Sequence, residues 1–134
     1  MWTCPKCGRI FGKGGQMHSC HKVPLENHFK NKEKAKTIFN ALVRKADSQV
    51  GPNKIISLPC CIHLFGTYDY LAALPKKDRL EVRFSSETKI ESPRVTQNFP
   101  VSSKMYKVCL DLNSEKDIDA RLLRWIKTSY NLKD

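Results

Sequence analysis

Residues 80–84 read Leu-Glu-Val-Arg-Phe, and this alternation decides the fold. A strand sends successive side chains to opposite faces, so Leu80, Val82 and Phe84 share an apolar face while Glu81 and Arg83 share a polar one. One-sided burial of that kind belongs to an antiparallel sheet with helices on a single face. Pro75 to Asp78 reads as the preceding turn and Tyr70 to Leu74 as the strand before it. Earlier still, Cys60, Ile62 and Leu64 alternate with Cys61, His63 and Phe65 until Gly66-Thr67 ends the run, and Ile55 to Leu58 is a short apolar run of its own. Downstream, residues 85–103 are polar, carry Pro93 and Pro100, and read as a long loop or an irregular edge. Tyr106, Val108 and Leu110 then alternate with Lys107, Cys109 and Asp111 up to Asn113-Ser114.

Helical spacing flanks these strands. Leu25 and Phe29 lie four apart, and after a restart at Asn31 the residues Ala35, Ile38, Phe39, Leu42 and Ala46 mark one face of a helix that ends before Gly51-Pro52. Ser114 with Asp117 forms a near capping box ahead of Ile118, Leu122, Trp125, Ile126 and Ser129. Helix, antiparallel strands, helix is the element order of an α+β fold, with the helices on one sheet face.

The first 22 residues differ in kind. Gly8, Gly12, Gly14 and Gly15 make the segment turn-rich, and it is too short to bury a core of its own. Its ligand-type residues supply an alternative source of stability. Cys4-Pro5-Lys6-Cys7-Gly8 is a metal-binding knuckle, and His18, Cys20 and His21 follow about ten residues later. Cys20 is the natural third ligand. Neighbouring side chains project in opposed directions, so His18 converges with Cys20 more readily than His21 does. The expected site is therefore one structural zinc per chain on Cys4, Cys7, His18 and Cys20, with His21 as the alternative to His18. Four protein ligands leave no position for an activated water, so this metal holds structure and performs no chemistry. The domain reading is a zinc unit over residues 1–22, a hinge at Val23-Pro24, and an α+β domain over 23–134.

The segment Trp2-Thr3-Cys4-Pro5-Lys6-Cys7-Gly8-Arg9, with Phe11 and Gln16-Met17-His18-Ser19-Cys20, resembles the start of a family of small bacterial proteins built on a domain of unknown function. The similarity runs on through Ile62, Leu80 to Phe84, Asp117-Ile118-Asp119, Trp125 and Tyr130. The resemblance supports His18 and Cys20 as ligands and implies no established activity. The second domain also resembles α+β modules compared with frataxin-like iron chaperones, although the helix over Lys32 to Asp47 lacks the acidic ridge that iron binding would use.

Twenty-four Lys and Arg against 13 Asp and Glu give the 134-residue chain a net charge of +11. Residues 1–22 hold four basic and no acidic side chains, residues 76–107 eight against four, and the stretch from Asp111 onward five against five. Such an excess favours polyanions through counterion release. Lys6, Arg9, Lys13 and Lys22 are the candidate phosphate contacts, with Trp2 or Phe11 as stacking surfaces. A protein-interaction or small-ligand-binding domain is the alternative. No apolar stretch reaches membrane-spanning length and no leader-type segment opens the sequence, so a cytoplasmic protein without a membrane partner is expected. In a reducing compartment six cysteines favour metal ligation or buried thiols over disulfides.

Catalytic candidates are few. Cys61 and His63 share a strand face as nucleophile and base, but no orienting acid is evident. Asp69 and the acidic pair Asp117 and Asp119 complete the candidates, while Cys60 and Cys109 read more simply as core thiols and Asp117 as a helix first-turn acid. The expected function is a non-catalytic, zinc-stabilised basic binding module. In zinc analysis of purified variants, His18→Ala should lower the zinc content far more than His21→Ala.

Overall fold

The computed structural model describes residues 2–5, 10–11 and 22–132. Two short strands, β1 (Trp2–Thr3) and β2 (Ile10–Phe11), pair antiparallel with Trp2 opposite Phe11. The rest is α+β: a 3-10 turn (Leu25–Phe29), helix α1 (Glu33–Gln49), six strands, a second 3-10 turn (Glu115–Asp117) and helix α2 (Ala120–Tyr130). The strands are β3 (Lys54–Ser57), β4 (Ile62–Phe65), β5 (Asp69–Pro75), β6 (Leu80–Ser86), β7 (Val95–Ser102) and β8 (Met105–Leu112). They form one antiparallel sheet in the order β3-β4-β5-β6-β8-β7. No helix among the described residues is long and apolar enough to cross a membrane.

The alternation read in β6 continues across the sheet. Ile62, Ala73, Val82 and Leu110 occupy one cross-strand file of paired residues, and Leu64, Leu71, Phe84 and Val108 another. All eight are at most 1% exposed. Against them pack Ile38, Phe39 and Leu42 of α1 and Leu122, Leu123 and Ile126 of α2. Burying side chains of this size contributes about 1.5–3 kcal/mol each, which offsets the entropy of ordering the chain. Lys45 of α1 donates to the Ile118 carbonyl at 3.1 Å, and so ties the first helix to the approach of the second.

Within the stretch read as a long loop or an irregular edge, residues 95–102 form the irregular edge: an edge strand with bulges between Val95 and Gln97 and between Pro100 and Ser102. An edge strand tolerates Pro100 because one side of its backbone needs no ladder partner. The C-terminal helix begins later than the Ser114/Asp117 pair indicates. Asp117 closes a 3-10 turn and accepts from the Asn113 N–H at 2.8 Å, whereas Asp119 is the true N-cap and accepts from the Leu122 N–H at 2.9 Å. That backbone bond holds the Asp119 carboxyl below the usual carboxylate range, and Arg94, whose Nη1 lies 3.0 Å from the same carboxylate, adds to the effect.

The end of α2 is clamped onto the sheet. Tyr130 donates to the Pro52 carbonyl at 2.7 Å and meets the Tyr70 ring edge-on at a centroid distance of 5.1 Å. Its ring lies over Gly66, where an added Cβ would come within 2.4 Å of it. A ring fixed by a hydrogen bond and an aromatic neighbour cannot yield easily, so overpacking is costly. Gly66→Ala should lower unfolding free energy by about 2 kcal/mol in urea titrations, with the m-value unchanged.

Candidate metal centre

The sheet face opposite the helices carries a second file: Ile56, His63, Ala72, Arg83, Cys109 and Gln97, each the partner of the next. His63 is the polar member at the β4 end. Its cross-strand partner is Ala72, whose short side chain leaves the imidazole room to lie along the sheet. The connection from β3 to β4 is a tight turn closed by the Leu58 N–H on the Cys61 carbonyl at 3.0 Å. That turn places Cys60 and Cys61 just before β4, with Cys60 exposed and Cys61 buried.

Three donors converge there. The Cys61 Sγ lies 3.0 Å from the Cys60 Sγ and 3.0 Å from Nε2 of His63. Cys60, Cys61 and His63 each offer a ligand atom, and these atoms all lie within 4.8 Å of one another, so the group can hold a metal ion. On the far side of the ring, Nδ1 of His63 sits 2.7 Å from Oδ2 of Asp69, the first residue of β5. The separation is that of an ion pair, although the carboxylate lies off the in-line hydrogen-bonding direction. A carboxylate at Nδ1 favours the proton on that nitrogen and turns the Nε2 lone pair towards the sulfurs. Both partners are mostly enclosed, with side-chain exposures of 14% for His63 and 20% for Asp69, so water screens the contact less than it would a surface pair.

Further along the file the chemistry changes. Arg83 donates from Nε to Glu81 at 2.6 Å, and this bond chiefly raises the guanidinium above its ordinary value. Burial pushes the Cys109 thiol up, with Arg83 opposing the shift. Cys109 thus stays a protonated core thiol at neutral pH, as its position in the strand suggests.

Cys60 does not follow the same expectation. It precedes the strand, is exposed, and belongs to the cluster rather than to the core. The acid missing from the Cys61/His63 pair is Asp69. It was hidden because six residues and a turn separate it from His63, and only the β4–β5 hairpin, with its register shift between Leu64 and Phe65, brings the two together. A carboxylate opening the strand after a His-bearing strand is the signal that would have found it.

Of the amino-terminal candidates, Cys4 is buried directly after β1, and Lys22 is exposed. Cys7, His18, Cys20 and His21, with Lys6, Arg9 and Lys13, lie outside the described residues. Asp117 and Asp119 serve the approach to α2 and take no part in the cluster. No family model, curated protein or solved structure matches the chain.

Exposure separates the thiols chemically. Under native, metal-free conditions iodoacetamide should label Cys60 roughly tenfold faster than Cys109, read by peptide mass spectrometry, because reactivity follows access and thiolate character.

Proposed function

We propose that the chain is a non-catalytic, metal-stabilised basic binding module, in which Cys60, Cys61 and His63 hold one thiophilic divalent ion with zinc as the natural occupant. One observation carries this reading: Nε2 of His63 and two thiols face a common point while a carboxylate sits behind Nδ1. Two thiolates and an imidazole select zinc over the harder oxygen-preferring cations. A carboxylate behind a ligating histidine orients the ring, and in this reading Asp69 has that role. Tetrahedral zinc with Zn–S bonds of about 2.3 Å requires donor separations of about 3.5–4 Å, so the sulfurs would move apart slightly on binding. Cys60 is exposed at the end of a turn, where such a movement costs little. The amino-terminal set Cys4, Cys7, His18 and Cys20 is a separate structural zinc site in the same proposal, and membership of the bacterial family rests on the motif there.

A second reading has its own support. Cys61, His63 and Asp69 stand in the order nucleophile, base and orienting acid, at 3.0 Å and 2.7 Å. The neighbouring Cys60 sulfur, 3.0 Å from that of Cys61, favours the metal. It adds a third donor at the point where a nucleophile would need open approach to its substrate.

After zinc loading and desalting, His63→Ala and Cys60→Ser should each lose one zinc equivalent relative to wild type, whereas Cys109→Ser should lose none. Bound zinc should also suppress alkylation of Cys60. Unchanged zinc content in both cluster variants would remove the metal reading and leave the thiol nucleophile.

A further inference from the structure

Adjacent side chains on a strand point to opposite faces, so neighbouring cysteines do not ordinarily bring their sulfurs together. Cys60 and Cys61 escape that rule because neither belongs to a strand. Ser57 and Ile62 are the last paired residues of β3 and β4, and residues 58–61 form the connection that the Leu58 N–H closes on the Cys61 carbonyl at 3.0 Å. The chain turns there and sets the two Sγ atoms 3.0 Å apart, not bonded to one another.

That separation stands between two bonded states. A disulfide needs about 2.0 Å, whereas two sulfurs on one tetrahedral zinc need about 3.5–4 Å. Cys60, exposed at the turn, is the sulfur with room to move either way, while Cys61 is buried and its carbonyl is bonded across the turn. The two states exclude each other, because a disulfide leaves neither sulfur a thiolate to give a metal. Position also makes the pair selective. Among the described cysteines Cys60 alone is exposed. Cys109 is 3% exposed, burial pushes its thiol up, and β5 and β6 lie between its strand and β4. Three inter-strand steps of about 4.8 Å keep it from the pair. Of these thiols, an oxidant arriving from water meets Cys60 first, with a second sulfur already beside it.

We propose that Cys60 and Cys61 form a reversible oxidation site for peroxides, closing a disulfide between adjacent residues. The Cys60 sulfur attacks one oxygen of hydrogen peroxide, the O–O bond breaks, and a sulfenic acid and one water form. The Cys61 sulfur then attacks the Cys60 sulfur; the S–S bond forms as the S–O bond breaks, and the departing hydroxide leaves as water with the Cys61 proton. Two sulfurs are oxidised and both peroxide oxygens reduced. Nε2 of His63, 3.0 Å from the Cys61 sulfur, lies where that proton departs. Neighbouring Cα atoms stand about 3.8 Å apart, less than the roughly 4.4–6.8 Å that most disulfides span, so the closed pair is strained and readily reduced. Two equivalents of a small thiol restore both cysteines and leave as their own disulfide. Closing the pair also expels the ion from the cluster, a consequence that rests on the metal reading given above.

The test treats the full chain, stripped of metal by a chelator, with one equivalent of hydrogen peroxide, alkylates the remaining thiols with iodoacetamide after denaturation, and reads tryptic peptides by mass spectrometry. Peptide 55–76 holds both cysteines and no other. It should appear unalkylated and lighter by two hydrogen atoms, and return to the doubly alkylated form after dithiothreitol, while the Cys109 peptide stays alkylated throughout. Zinc loading should slow the change about tenfold, since a metal-bound thiolate is withheld from the oxidant. In Cys61→Ser, Cys60 should go on to the sulfinic acid, whereas Cys109→Ser should still close the pair. Peptide 55–76 with an oxidised Cys60 beside an alkylated Cys61, or cross-linked to another peptide, would overturn the proposal and leave zinc binding untouched. A disulfide that forms equally fast with and without zinc would uphold the oxidation site and remove the metal.

Discussion

The structure depends on the burial of one face of a single antiparallel sheet under two helices. Leu80, Val82, Phe84, Val108, Leu110 and Leu112 are almost fully enclosed, and their strict alternation leaves the intervening residues no choice of side. Register follows from the same constraint. A slip of one residue in β6 would turn Glu81 and Arg83 into the core, at the cost of taking two charges out of water. The file containing His63, Arg83 and Cys109 is thus positioned by what lies on the reverse of the sheet, before any chemistry of its own is considered.

That division explains which features were legible in the sequence. Where period and burial agree, as in α1, β5, β6 and β8, the residues announce their elements. Strand β7 was legible only as one of two readings, a long loop or an irregular edge, because an edge strand is exposed on much of its length: Val101 is 62% and Phe99 42% exposed, and Pro100 stands at a bulge. Its pairing is imposed by β8 rather than by an apolar pattern of its own. The start of α2 was misplaced for a related reason. Asp117 and Asp119 are both plausible caps by composition, and only the backbone path of the intervening 3-10 turn selects the second.

The cluster was half legible. Cys61 and His63 sit two apart in a strand-like run, so their common side could be read directly. Cys60 was assigned by extending the alternation two residues too far, into a turn where strand periodicity no longer applies. Asp69 is a tertiary contribution: a hairpin with an irregular register sets a carboxylate beside a ring six residues earlier, and no local rule encodes that distance. Sequence reasoning found the thiol and the imidazole but could not see the group that orients them.

The clamp formed by Tyr130 has a consequence for how the protein is made. Tyr130 comes after every strand in the order of synthesis, yet its ring rests on Gly66 and Gly51 and its hydroxyl on Pro52, near the middle of the chain. A nascent chain that has already emerged through β8 carries an apolar sheet face still awaiting Leu122, Leu123 and Ile126. Until α2 clears the ribosome, that face is covered only by α1 and is open to chaperones or to other unfinished chains. Helix α2 acts as a seal on the sheet, and the sticky intermediate persists until that helix arrives.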